Sequence, residues 1–298
     1  MQTLRLLAIV VLFFAGLALR HWKVLDTGHG RRLLIIVVWI GLPPLILGGV
    51  SRMPLHAELV WLPATAMITI VLGTAVMVVV GRRLALEGQT FGAFVTCGTA
   101  LNTAIEFPFI LTTHGVNGFA ELALFDLGNA FLVCTLSYLV AARLGHRAGG
   151  WSHALHRLVS FPPLWALVLA LIINLWHLPV SSVALDTLQL LGGWIVLLVP
   201  LALGILFDGR RALSRPALAA VGIRFGVGLA VGVVCALLLD LQGLSRAVVI
   251  VGSAAPIGFT VVVLAQREGL DTELAASATS LSVLLGLVYV PLALLWLD

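Results

Sequence analysis

The sequence predicts an all-α polytopic membrane protein: ten transmembrane helices in two inverted five-helix repeats, with the fourth and ninth helices broken. Three observations predict it: composition, the placement of basic residues, and phrases that recur in the same order in both halves. Of 298 residues, 61% are apolar and 10% charged, against roughly 25% charged in a soluble domain. Mean hydropathy is +1.14. At about 20 residues per crossing, this length allows roughly ten helices and short loops. That composition excludes a soluble enzyme, a nucleic-acid binder and a disordered scaffold.

Apolar runs cut by charges or turn residues place spans near 4–19, 33–50, 59–81, 91–112, 117–142, 155–177, 186–207, 217–240, 244–266 and 273–297. The first is short, and Gly16 and Ala18 form a weak signal-cleavage site. Only Arg5 precedes it, however, whereas Arg20, Lys23, Arg31 and Arg32 follow, which suits a retained span inserted N-terminus outward. The loops after the odd-numbered spans hold 13 of the 17 Lys and Arg residues; Arg5, Arg52 and Arg246 lie opposite, and Arg224 lies within a span. The positive-inside rule then puts both termini outside and the longest loop in the cytoplasm. The expected organisation is a first repeat over 1–142, a cytoplasmic linker over 143–154 and a second, inverted repeat over 155–298.

Trp39 followed by Pro44–Gly48 (PLILG) recurs as Trp194 followed by Pro200–Gly204 (PLALG). Pro63-Ala64 matches Pro216-Ala217, and Gly98–Asn102 (GTALN) matches Gly252–Pro256 (GSAAP). Five spans per half give the second half opposite polarity. Such inverted repeats point to a secondary transporter with its site near the midplane between them. Spans 4 and 9 carry Asn102 and Pro256 among small residues. A mid-helix Pro lacks a donor and displaces the carbonyl four residues back, and unwound backbone at that depth survives only beside a cavity.

The polar residues inside spans are the candidate site. Asn102 can bond a substrate or bridge unwound backbone. Glu106, two residues before Pro108, is a candidate for proton coupling or a carboxylate paired with a neighbour. Asp126 and Asn129 are three apart and share a helix face, which serves ion coupling toward spans 4 and 9 or forms a structural clasp. Thr99 and Ser253 occupy equivalent places in the repeat and read mainly as packing residues. Arg224 either snorkels to the interface or partners an anion, Glu106 or Asp126. Cys97, Cys134 and Cys235 lie in apolar runs and read as packing residues. His146, His153 and His156 read as solvated, with no metal-site spacing and no cofactor expected beyond a proton or sodium ion.

Several phrases resemble the auxin efflux carrier family: Phe13–Gly49 as a first hairpin, NTAIEFP at 102–108, Ser160–Leu175, PLALGILFDG at 200–209, and most specifically Ser253–Leu287. The resemblance runs over nearly the whole chain. It implies a fold similar to bacterial sodium/proton antiporters and bile-acid symporters, crossing broken helices at spans 4 and 9, a homodimer and an elevator-type motion. It assigns Asn102, Pro108 and Pro256 to the family's span-4 Asn and Pro and span-9 Pro. Ala104 and Glu106 stand where glycines are usual, which implies a smaller, more acidic cavity or different coupling chemistry. The expectation is a secondary transporter in a bacterial cytoplasmic membrane. It would move a small organic anion or carboxylate-like metabolite, coupled to proton or sodium. Its partners would be the solute and membrane lipid, not nucleic acid. Cation/proton antiport is the alternative within transport. An intramembrane enzyme would need a paired nucleophile and base at membrane depth, and the sequence offers none.

Overall fold

A computed structural model describes residues 2–145, 159–207 and 214–297. In chain order its helices are α1 (Gln2–His21), α2 (Thr27–Ile36), α3 (Leu42–Val50), α4 (Trp61–Arg83), α5 (Gly88–Thr96), α6 (Glu106–Leu132), α7 (Tyr138–Leu144), α8 (Pro162–Leu175), α9 (Ser182–Val196), α10 (Leu198–Leu206), α11 (Arg215–Leu238), α12 (Gly243–Ser253), α13 (Thr260–Glu268) and α14 (Thr272–Leu297). Apart from one isolated antiparallel bridge, regular structure among the described residues is helical. Most of the predicted linker 143–154 and the histidines at 146, 153 and 156 lie outside those residues.

Among the described residues, six stretches are long and apolar enough to cross a membrane: Thr27–Val50, Ala57–Arg83, Thr103–Leu144, Ser182–Leu206, Arg215–Leu238 and Thr272–Leu297. Leu6–His21, Pro162–Leu175 and Gly243–Ser253 are shorter apolar helices. At most 44% of any of the six apolar windows is buried by protein, so more than half of each keeps some exposed surface. Val183, Leu238 and Trp296 are among the exposed large side chains. Lipid accommodates such surface, and a helix is the open-ended element that satisfies its own backbone there. The chain is an integral membrane protein.

The chain divides into two compact units, each drawing on both sequence halves: residues 1–57, 104–124 and 161–207 in the first, and 58–103, 125–160 and 208–298 in the second. Within the first unit, α1 packs on α10 through glycines. A Cβ on Gly204 would sit 1.9 Å from Phe13 O, and one on Gly16 would sit 2.2 Å from Leu201 O, so only glycine permits that approach. Between α2 and α3 lies a wide π-turn, Val37–Gly41. Pro43 and Pro44 follow it and have no N–H for the carbonyls of Trp39 and Ile40, which accounts for the loosened winding. Pro200 is placed likewise after the interruption at Leu197. Asn174 closes the end of α3 by donating to Val50 O and Met53 O at 2.7 and 2.8 Å. This unit also holds a 570 Å³ surface cavity between residues 51–55 and 173–178.

The second unit has a core that includes Met77, Phe94, Tyr138, Val221, Leu264 and Leu274, drawn from α4, α5, α7, α11, α13 and α14. Close approach again falls to glycine: a Cβ on Gly128 would meet Pro63 O at 2.1 Å, and one on Gly228 would meet Ser253 O at 2.1 Å. The predicted spans near 91–112 and 244–266 are both interrupted, over 97–105 and 254–259. The predicted spans 91–112 and 117–142 meet at Gly115, where one helix gives way to the next across a sharp break. α6 passes through Gly115, whose φ of 65° and ψ of −155° kink it, a conformation that glycine adopts at little cost.

Positive-φ residues fall into two matching sets among the described residues. Lys23, Ala85, Gly88 and Gly115 in the first half pair with His177, Asp240, Gly243 and Gly269 in the second, 154 or 155 residues on.

Candidate functional site

The two helix interruptions in the second unit have different causes. α12 stops at Ser253 because Pro256 cannot donate to Gly252 O and its ring would strike that carbonyl. Ala255 N–H bonds Gly252 O instead, at 3.2 Å. α5 stops at Thr96 without a proline. Thr96 Oγ1 donates to Gly92 O at 2.7 Å, and Thr99 Oγ1 to Thr96 O at 2.8 Å; such hydroxyls compete with the helical N–H for the same acceptors.

Pro108 does not cause this break. It is the third residue of α6, in the first turn, where an N–H would have no helical partner anyway. It therefore marks the restart of the helix.

The unwound stretches meet in an antiparallel bridge between Leu101 and Ile257. Asn102 N donates to Pro256 O at 2.8 Å, and Gly258 N to Ala100 O at 3.0 Å. Each break thus supplies the hydrogen bonds the other lost, as buried backbone requires. The local twofold of the bridge relates Ala100 to Pro256 and Asn102 to Gly258. The phrases GTALN and GSAAP suggest a register two residues different, pairing Thr99 with Ser253, because small apolar words align equally well in both frames.

Side chains complete the support. Asn129 Oδ1 accepts from Leu101 N at 3.0 Å, while its Nδ2 donates to Leu101 O at 3.3 Å and to Asp126 Oδ1 at 2.7 Å. Thr103 Oγ1 donates to the same Asp126 oxygen at 2.6 Å. The shared face of Asp126 and Asn129 therefore clasps the first break. Ser137 donates to Thr99 O at 2.8 Å. On the second break, Ser282 Oγ accepts from Ile257 N at 3.0 Å, and Thr69 Oγ1 donates to Ser253 Oγ at 3.2 Å. Thr99 and Ser253 are fully buried and engaged with protein. Asn102 is 4% exposed, and its side-chain nitrogen makes no hydrogen bond to the described residues. That nitrogen is a donor held at the bridge.

Arg224 does not snorkel. Its side chain is fully buried, with Nε donating to Ala255 O at 3.0 Å and Nη2 to Ser253 O at 2.5 Å. A buried guanidinium is held where carbonyls lacking helical partners converge. Glu106 belongs to the first unit, where it opens α6 and is fully buried; the positive end of a helix favours a carboxylate there. Cys97, Cys134 and Cys235 form no disulfide among the described residues.

Sequence reasoning passed over Thr69, Thr103, Ser137 and Ser282. Hydroxyls in apolar helices ordinarily bond the carbonyl four residues back, as Thr74 does to Ile70 O and Thr112 to Pro108 O. No local pattern separates these from the ones that reach another segment.

A family model described as "Membrane transport protein" matches residues 152–294. The chain is 29% identical over 297 residues to an uncharacterized transporter of Methanothermobacter thermautotrophicus, covering 98% of this chain and 97% of that one. It is 24% identical over 297 residues to an uncharacterized transporter of Methanocaldococcus jannaschii, covering 96% of each.

Proposed function

We propose that this chain, which resembles the auxin efflux carrier family and matches the membrane transport protein family over residues 152–294, is a secondary active transporter for a small organic anion, working by alternating access of the elevator type. The observation that carries the proposal is the pair of broken helices joined at Leu101 and Ile257, with the Asn102 amide beside the joint. Half-helix ends and unwound backbone at membrane depth are where such transporters hold their solutes.

Ten spans in two inverted repeats of 1–142 and 155–298 are part of the reading. Three features support them: the matching positive-φ sets, the two breaks, and the proline-led phrases at Pro44 and Pro200. The protein acts as a homodimer in a cytoplasmic membrane with both termini outside, in keeping with the basic-residue bias. Transport is coupled to a proton or a sodium ion. Cation/proton antiport is the second reading, and it is favoured by Asp126, whose carboxylate stands beside the first break.

The test is solute uptake by the purified protein in liposomes, across a panel of carboxylates, with imposed proton or sodium gradients. Asn102→Ala should lower uptake at least tenfold while the protein remains folded and its melting temperature falls little. Normal uptake by that variant would place the solute elsewhere. Gradient-driven exchange of a cation with no carboxylate moved would favour antiport.

A further inference from the structure

The two breaks are held by chemically different groups. By the twofold of the bridge, Thr99 O corresponds to Ala255 O. Thr99 O accepts from the neutral hydroxyl of Ser137 at 2.8 Å, whereas Ala255 O accepts from the guanidinium of Arg224 at 3.0 Å. The same guanidinium reaches Ser253 O, the last residue of α12, at 2.5 Å. A helix C-terminus carries roughly half a negative charge, concentrated on such carbonyls. In transporters with broken helices these ends and the adjacent unwound carbonyls are where a sodium ion or proton is held.

The local sequence is arranged to admit the arginine. Gly228, one turn beyond Arg224 on α11, lets that helix lie against Ser253, where a Cβ would come within 2.1 Å of Ser253 O. On α4, Gly73 faces the guanidinium: a Cβ there would lie 3.4 Å from Nη1, so a larger side chain would crowd it. Arg224 itself is fully buried. A charged group this enclosed is costly unless it is paired and hydrogen-bonded in place, and Ser253 O and Ala255 O accept two of those bonds.

We propose that Arg224 is a resident cation: a positioning residue whose guanidinium fills, within the protein, the place at the end of α12 that an alkali cation would otherwise occupy. Sodium does not bind there, and the second break keeps its form in both the presence and absence of sodium. The fixed positive charge also biases that end of the crossover toward an anionic solute. Only this last consequence rests on the anion-transport reading.

The experiment is thermal unfolding of the purified full-length protein in sodium, lithium or choline chloride at equal ionic strength. Sodium should raise the melting temperature of wild type no more than that of Arg224→Ala, since any coupling sodium binds away from this site. Arg224→Ala should melt about 5–10 °C lower, Arg224→Lys should recover more than half of the loss, and millimolar guanidinium should raise Arg224→Ala but not wild type. A sodium-specific rise larger in wild type than in Arg224→Ala would overturn the proposal. So would Arg224→Ala melting like wild type, or showing no response to guanidinium while Arg224→Lys is equally impaired. Should Arg224→Ala not be recovered folded, Arg224→Gln takes its place in the salt series, and Arg224→Lys is expected to melt above it. None of these measurements uses a solute, so their failure and that of the transport reading are distinguishable.

Discussion

Replacing Asn129 with Leu isolates the clasp on the first break from any part the residue plays in coupling. The native carboxamide makes three bonds: it accepts from Leu101 N at 3.0 Å and donates to Leu101 O at 3.3 Å and Asp126 Oδ1 at 2.7 Å. Leu101 is 4% exposed and lies outside any helix, so its N–H has no other acceptor to turn to. An orphaned buried N–H costs about 1–3 kcal/mol, and losing a donor to a carboxylate about 1.5–3 kcal/mol. Thr103 still serves Asp126, and the leucine regains some apolar burial, so the net is about 3–5 kcal/mol. At about 2–4 °C per kcal/mol for a chain this long, the melting temperature should fall roughly 6–20 °C. Ser137→Ala, which removes one hydroxyl bond to Thr99 O, should cost about 1 kcal/mol and serves as the comparison. The assay is thermal unfolding of purified protein in one detergent. If Asn129→Leu melts within 2 °C of wild type, or above Ser137→Ala, the break does not lean on this side chain. A coupling role without a clasp would instead leave melting unchanged and abolish transport.

Other expectations concern packing, protons and topology. Gly228→Val should destabilise by at least about 3 kcal/mol, since a Cβ there would meet Ser253 O at 2.1 Å, whereas Gly222→Val, facing open space, should cost little; equal melting of the two variants would contradict the close approach of α11 to α12. Glu106→Gln preserves the shape of a fully buried side chain and removes its titration. Uptake should then lose its pH dependence while solute binding at low pH survives within a few-fold, and an unchanged pH profile would leave Glu106 structural. Cysteines introduced by Ala148→Cys and Ala212→Cys should be labelled only from the cytoplasm, and labelling from outside intact cells would reverse the orientation.

Much of the helix arrangement was legible because lipid imposes a simple demand. A span must be long, apolar and free of charge, and each of these is a property of consecutive residues. The stop at Ser253 was legible for the same reason, since Pro256 removes a donor from its own helix. The stop at Thr96 was less so. Asn102 marked the region, but the hydroxyls that loosen α5 are common in intact helices. The effect of Pro108 depends on where the helix begins, and only the restart at Glu106 shows that it stands in a first turn. The register between the breaks was also out of reach, because alanine, glycine and serine tolerate a two-residue shift that hydrogen bonds do not.

Sequence alone determined that this is a helical membrane protein, where its interrupted helices lie, and which few polar residues enter the bilayer. Each follows from the period and continuity of apolar residues along one chain. Tertiary structure alone decided what those polar residues do. Arg224 reads along the sequence as a side chain near a membrane face, yet it lies buried on the carbonyls of Ser253 and Ala255, 29 and 31 residues away. Asn129 serves Leu101 from 28 residues on, and Ser137 serves Thr99 from 38. A buried polar group must be satisfied, but nothing in its own neighbourhood of the chain specifies by whom. The partner is fixed only when distant helices pack closely enough, here through glycines, for a donor to reach an acceptor that its own helix has abandoned.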